Sequence, residues 1–213
     1  MHNDTVYLVT QEELSAGRTT LEIVEAAIRG GVDIIQLREK QRPARTRYRL
    51  GQAIRKRTDH AGVTFIVNDR LDIARAVDAD GVHLGDEDLP IPVAREQLGD
   101  TAIIGRSVSS VEAAREAVDA GADYLGVGSV YSTDSKDTPP EETDIGLQTI
   151  TTIRETVDLP IFGIGGINAE NATEVAAAGA NGVAVISAIT TAEDPESATQ
   201  HLSAAVKKGR NVQ

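Results

Sequence analysis

Four copies of one short pattern constrain this chain more than any other feature. Gly31-Val32-Asp33 precedes IIQLR, Ala79-Asp80-Gly81 precedes VHLG, Gly121-Ala122-Asp123 precedes YLGVG, and Gly179-Ala180-Asn181 precedes GVAVIS. The Asp or Asn positions lie 47, 43 and 58 residues apart, each spacing close to two strand–helix units. The glycine is expected to end a helix in a left-handed turn, and the Asp or Asn to open the next strand.

These marks fall on the even members of eight strand candidates: Thr5–Thr10, Asp33–Glu39, Thr64–Asp69, Gly81–Gly85, Ala102–Ser107, Tyr124–Val130, Pro160–Gly166 and Gly182–Ala188. Several are almost wholly apolar, as strands covered on both faces must be. Helical patterns separate them: Thr19–Arg29, Pro43–His60, Val111–Asp119, Gly146–Thr156, Ala169–Ala178 and Pro195–Lys207, with shorter ones at Leu71–Ala76 and Pro92–Leu98. Strand and helix in alternation give an α/β fold with a parallel sheet. Four βαβα quarters predict a closed (β/α)8 TIM barrel in one domain, residues 1–213. An open doubly wound sheet is the alternative, but its glycine-rich loop belongs after the first strand. Gln11-Glu12-Glu13-Leu14 stands there instead.

Composition removes several function classes. The chain has no cysteine, so disulfides, thiolate metal sites and cysteine nucleophiles are excluded. Its net charge of −12 and its few aromatics argue against nucleic acid, which needs a basic face. No apolar run reaches the roughly 18 residues of a membrane span, and the polar start resembles no signal peptide. The expectation is a cytoplasmic protein acting on small molecules. The acidity fits adaptation to high salt, where screening relieves self-repulsion, or ordinary acidic drift.

In such a barrel the chemistry belongs at the C-terminal strand ends. Strand two ends Gln36-Leu37-Arg38-Glu39-Lys40, and alternation would put Gln36, Arg38 and Lys40 on one face. An amide with two cations suits a polyanion and a heteroatom-rich ring. Strand three ends Asn68-Asp69-Arg70, and Gly85-Asp86-Glu87-Asp88 follows strand four. Carboxylates on adjacent loops suit Mg²⁺, which one or two carboxylates and substrate phosphates commonly hold. The four histidines do not cluster as zinc ligands, and mid-strand His83 reads as a hydrogen-bonded core residue. Ser107 stands at substrate height on strand five, while Ser109 and Ser110 could cap the next helix. No GxSxG elbow is present. The Thr133-Asp134-Ser135-Lys136 loop offers hydroxyls and a cation. Gly163-Ile164-Gly165-Gly166 and Val185-Ile186-Ser187 lie after strands seven and eight, where barrels bind phosphate through backbone amides. Two anion sites suit joining or splitting two phosphorylated pieces.

QLREK, VNDR, DGVHLGDEDLP, GRSVSS, YLGVGSVYSTDSK, GIGGI and VISAI together resemble the thiamine-phosphate synthase family, in order along nearly the whole chain. The resemblance implies coupling of a hydroxymethylpyrimidine diphosphate to a thiazole phosphate with release of pyrophosphate, by dissociative substitution. It implies that Gln36, Leu37, Arg38, Glu39, Lys40 and Asn68 contact the pyrimidine diphosphate, completed by Ser107 and Lys136. Arg38, Lys40, Ser107 and Lys136 are the implied catalytic residues. Asp69 and Asp88 would hold Mg²⁺. Thr133, Asp134, Ser135, Gly166, Ile186 and Ser187 would hold the thiazole phosphate. Asp86 departs from the glutamine common in the family, adding negative charge beside the metal, and Ser109 from its His or Thr. The rivals are a thiazole tautomerase, which would lack the pyrimidine diphosphate site, and a barrel that binds phosphate ligands without catalysis. An aldolase would need a lysine buried mid-strand, and none of the five lies on a strand candidate except at an end.

Overall fold

The computed structural model describes residues 4–133 and 144–211. Eight parallel strands close into a barrel in chain order: β1 Thr5–Val9, β2 Ile34–Leu37, β3 Thr64–Asn68, β4 Gly81–Leu84, β5 Ile103–Val108, β6 Tyr124–Val127, β7 Ile161–Ile164 and β8 Gly182–Val185. β8 returns to pair with β1, so no edge is left open. The helices outside are α1 Thr20–Arg29, α2 Ala44–Ala61, α3 Leu71–Ala76, α4 Ile91–Leu98, α5 Val111–Asp119, α6 Gly146–Thr156, α7 Ala172–Ala177, α8 Ser187–Thr190 and α9 Pro195–Arg210. The closed (β/α)8 architecture is the one the repeat predicts. Among the described residues no helix is long and apolar enough to cross a membrane.

The repeat has a physical cause at the N-terminal end of the barrel. Asp33 Oδ2 accepts from Val6 N at 2.8 Å, Asp80 Oδ2 from Phe65 N at 2.7 Å, Asp123 Oδ2 from Ile104 N at 2.7 Å, and Asn181 Oδ1 from Ile161 N at 2.9 Å. Each of the four residues also donates its own N–H to the carbonyl of the residue it clasps. An N–H at the start of an odd strand has no ladder partner on that side, and burial makes an unpaired donor costly. The side chain at the start of the following even strand supplies the acceptor. Two residues earlier the chain turns through positive φ, at Gly31, Gly121 and Gly179, and in the second quarter at Asp78 (φ 55°). The left-handed turn lets the backbone leave the helix and deliver the clasp at the next strand. Arg55, Arg95 and Arg154 then contact Asp80, Asp123 and Asn181 from the helices.

Odd and even strand positions separate two cores. Val6, Leu8, Ile35, Leu37, Phe65 and Val67 face outward under the helices, while Tyr7, Ile34, Ile66, Tyr124 and Phe162 fill the barrel interior. The strands are shorter than the apolar runs suggest. β2 stops at Leu37, two residues before its expected end, β6 stops at Val127, and the run after β8 turns into α8 at Ser187.

Candidate active site

Gln36 is the last inward side chain of β2 and is buried in the barrel. Arg38 and Lys40 lie beyond the strand, so pleat alternation does not set their directions. Contacts do. Thr10 Oγ1 accepts from Arg38 N at 3.1 Å, and the Arg38 guanidinium donates to Gln11 Oε1 at 3.0 Å. Lys40 Nζ sits 3.2 Å from Asp69 Oδ2. The intervening side chains turn the other way. Leu37 packs in the outer core. The buried Glu39 carboxylate accepts from Thr20 Oγ1 at 3.0 Å and Glu12 N at 3.1 Å, anchoring the loop to the start of α1. At these two positions only the main chain is available to a ligand. Thr10 and Gln11 are positioning residues that sequence reasoning missed, because a polar pair just past the first strand has no signature.

Asp69 follows β3 in left-handed conformation, φ 62°, which Asp tolerates better than most residues. Its carboxylate faces that of Asp88, whose Oδ2 accepts from Gly85 N at 2.6 Å and closes the β4 loop. Burial, together with the hydrogen bond and charge of Asp69, pushes the Asp88 carboxyl up to about 6, against the pull of Gly85 N–H and Lys40. Among the described residues, two converging carboxylates with one lysine beside them leave a donor set with more acid than base. Hard oxygen donors of this kind fit a divalent cation. No group of three or more His, Cys, Asp or Glu converges among the described residues, so the remaining donors must come from ligand or water. Asn68, next to Asp69, is buried at the end of β3. Asp86 is exposed and pairs with Arg106, whose guanidinium also reaches Gly85 O, so its extra charge is partly compensated locally.

Ser107 lies on β5, and its Oγ is 2.9 Å from His83 Nε2. His83 is buried and its Nδ1 meets Tyr124 Oη at 2.9 Å, the hydrogen-bonded core histidine expected from its mid-strand place. Ser110 caps α5 through Ala113 N at 3.1 Å, and Ser109 precedes it at the strand exit.

Across the barrel, four strands from β3, lies the β7 exit. Gly166 turns with φ 61°, and a Cβ there would stand 2.6 Å from Ser132 O. Only glycine lets the β6 and β7 loops approach this closely, with Tyr131 N donating to Gly165 O at 3.2 Å. Asn171 Nδ2 fixes Gly166 O at 3.0 Å. Ile186 and Ser187 stand beside it at the start of α8. Thr133 is placed at the β6 exit, whereas Asp134, Ser135 and Lys136 lie outside the described residues. Gln36, Arg38, Lys40, Asn68, Asp69, Asp88, Ser107, Thr133, Gly166, Ile186 and Ser187 thus share one end of the barrel.

A family model described as thiamine monophosphate synthase matches residues 6–189. A thiamine-phosphate synthase of Natronomonas pharaonis is 64% identical over 202 residues, covering 95% of this chain and 94% of its own. That of Haloarcula marismortui is 62% identical, with 96% and 98% covered. Among solved structures, a thiamine phosphate pyrophosphorylase from Pyrococcus furiosus superposes with a TM-score of 0.89 at 44% identity, covering 98% of both chains. A 3-hexulose-6-phosphate synthase from Salmonella typhimurium, 19% identical with a TM-score of 0.72, shares the fold.

Proposed function

The chain belongs to the thiamine monophosphate synthase family, and we propose that it joins 4-amino-2-methyl-5-hydroxymethylpyrimidine diphosphate to a thiazole phosphate, carboxylated or not. Pyrophosphate and thiamine phosphate are the products, with carbon dioxide released as well when the thiazole carries the carboxylate. The observation that carries this reading is the Lys40–Asp69–Asp88 cluster across the mouth from the Gly166 turn. One side suits a diphosphate with its cation, the other a phosphomonoester held by backbone amides.

In the reaction, the bond between the pyrimidine methylene carbon and the diphosphate oxygen breaks, and its electron pair leaves with pyrophosphate. The thiazole nitrogen lone pair then forms the new carbon–nitrogen bond. No carbon acid is deprotonated, so no strong base is required. Arg38 and Lys40 stand where negative charge grows on the leaving group, held in place before it develops by Gln11 and Asp69. Lys136 would add a third cation from the β6 loop. Asn68, Gln36 and Ser107, with the main chain at Leu37 and Glu39, orient the pyrimidine. Thr133, Asp134, Ser135, Gly166, Ile186 and Ser187 hold the thiazole phosphate. Asp69 and Asp88 would hold Mg²⁺, which supplies Lewis-acid neutralisation of the diphosphate oxygens when bound.

The decisive experiment is a coupling assay with purified protein, both substrates and MgCl2, at low and high KCl. Thiamine phosphate is expected only when both substrates and the divalent ion are present. A rise of rate and Tm with KCl is the expected mark of salt adaptation in a chain of net charge −12. No product from folded protein at either salt overturns the reading.

The raised carboxyl of Asp88 gives a second test that does not depend on turnover. A carboxyl near 6 in the folded chain, against 3.8 ordinarily, binds its proton more tightly when folded. The stability this adds is full below 3.8 and is lost as pH rises through about 6. A cation held by Asp69 and Asp88 needs Asp88 ionised. The Tm increase on adding MgCl2 is therefore expected to be small at pH about 5 and to grow through about 7. An increase independent of pH would show that the ion binds elsewhere.

A further inference from the structure

The barrel interior holds an unbroken hydrogen-bonded line between two side chains of the mouth. Gln36 Nε2 donates to Tyr7 Oη at 2.5 Å. Tyr7 Oη meets Tyr124 Oη at 2.8 Å. Tyr124 Oη meets His83 Nδ1 at 2.9 Å, and His83 Nε2 meets Ser107 Oγ at 2.9 Å. The line crosses from β2 through β1, β6 and β4 to β5. Gln36, Tyr7, Tyr124 and His83 are all buried.

Two glycines make room for it. A Cβ at Gly105 would lie 2.0 Å from Tyr124 Cζ, and one at Gly126 would lie 3.0 Å from His83 Cε1. Glycine weakens a strand interior, so its use at these inward positions reflects what fills the space. Neither ring is needed merely to plug the barrel, since aliphatic residues would do so without buried polar atoms.

With the Gln36 amide N–H as donor to Tyr7, counting protons gives a sense to every link. Tyr7 accepts from Gln36, so its own proton goes to Tyr124. Tyr124 spends its proton on His83 Nδ1. A neutral His83 then carries its proton on Nε2 and donates to Ser107. Ser107 is left with its hydroxyl proton to offer outward, and Gln36 with its amide oxygen as acceptor. Burial holds both phenols well above their ordinary range, so both keep their protons. Turning the Gln36 amide over would require all five groups to reverse together.

We propose that Tyr7, Tyr124 and His83 are positioning residues that lock Gln36 as an acceptor to Ser107 as a donor, a pair complementary to an amino group beside a ring nitrogen. The inference rests on the pyrimidine-diphosphate reading of the mouth and deepens it. An aminopyrimidine offers one donor and one acceptor on adjacent atoms. An oxo ring offers the opposite pair and meets two mismatches unless the whole line reverses.

The tautomer of His83 tests the line without any variant. Nitrogen-15 NMR of the folded wild-type protein at neutral pH should find the His83 proton on Nε2. A proton on Nδ1, or on both nitrogens, overturns the proposal. Tyr7→Phe and Tyr124→Phe keep the rings and remove one link each. Each should raise KM for the pyrimidine diphosphate about tenfold with KM for the thiazole phosphate unchanged. The double variant should be no worse than either single, because one break already frees both ends. Equal rises in both KM values, or effects that multiply, overturn it as well. If the wild-type protein makes no thiamine phosphate, the substrate reading falls, and the ring-nitrogen measurement still decides the hydrogen-bonded line.

Discussion

Asp69→Asn is expected to lower turnover by about 10²–10³-fold at saturating substrates while leaving the barrel folded. The choice of asparagine matters. Asp69 has φ 62°, and alanine there would add backbone strain to the loss of charge. Asparagine accepts the left-handed conformation and keeps one acceptor oxygen, so the variant isolates the charge. That charge has two uses in the proposed reaction: it holds Lys40 at 3.2 Å over the diphosphate position, and with Asp88 it completes the cation site. Lys40→Met should therefore fall into the same range, and the double variant should be less than the product of the two, since each acts partly through the other. Asp88→Asn retains an acceptor for Gly85 N and keeps the β4 loop closed, which separates a lost metal ligand from a lost loop anchor. Turnover within about tenfold of wild type in both Asp69→Asn and Lys40→Met would place the electrostatic centre elsewhere.

The barrel was legible because its repeat is local chemistry copied four times. A small residue, then an acid or amide, then an apolar run can be read without knowing what pairs with what. The reason for the acid was not legible, because the N–H it accepts belongs to a strand 15 to 27 residues earlier. The second quarter was also partly hidden. Asp78 takes the left-handed turn that glycine takes elsewhere, so the part of the copy visible in the sequence begins at Ala79. At the mouth, the motif order brought eleven described site residues to one end. Pleat alternation then failed past Leu37, since periodicity holds only while the ladder does. Arg38 is turned by Thr10 and Gln11, and Glu39 by Thr20, contacts between different βα units. The line from Gln36 to Ser107 had one visible trace: Gly105 and Gly126 inside strands, where a glycine asks what large group lies opposite.

The clasp makes the sharpest stability prediction. Val6, Phe65 and Ile104 are fully buried, and Asp33, Asp80 and Asp123 are the side-chain acceptors of their N–H groups. Removing one acceptor leaves a buried donor unpaired, at about 1–3 kcal/mol each. The three sites lie on separate strand pairs and should add roughly. The triple variant Asp33→Ala, Asp80→Ala, Asp123→Ala should therefore lose about 3–9 kcal/mol, against about 5–15 for a whole domain. It is expected to be largely unfolded at 37 °C in low salt by circular dichroism. The ion pairs of Asp80 with Arg55 and Asp123 with Arg95 also disappear, but both carboxylates are more than a third exposed, so this loss is the smaller part. Asn181 supplies the control within the same molecule. It performs the clasp on Ile161 N at 2.9 Å with an uncharged oxygen. The matching triple Asp→Asn variant should therefore stay folded, with a Tm well above that of the alanine triple. If the two triples melt together, the repeated acids act through charge at the barrel's end rather than by accepting the strand N–H groups.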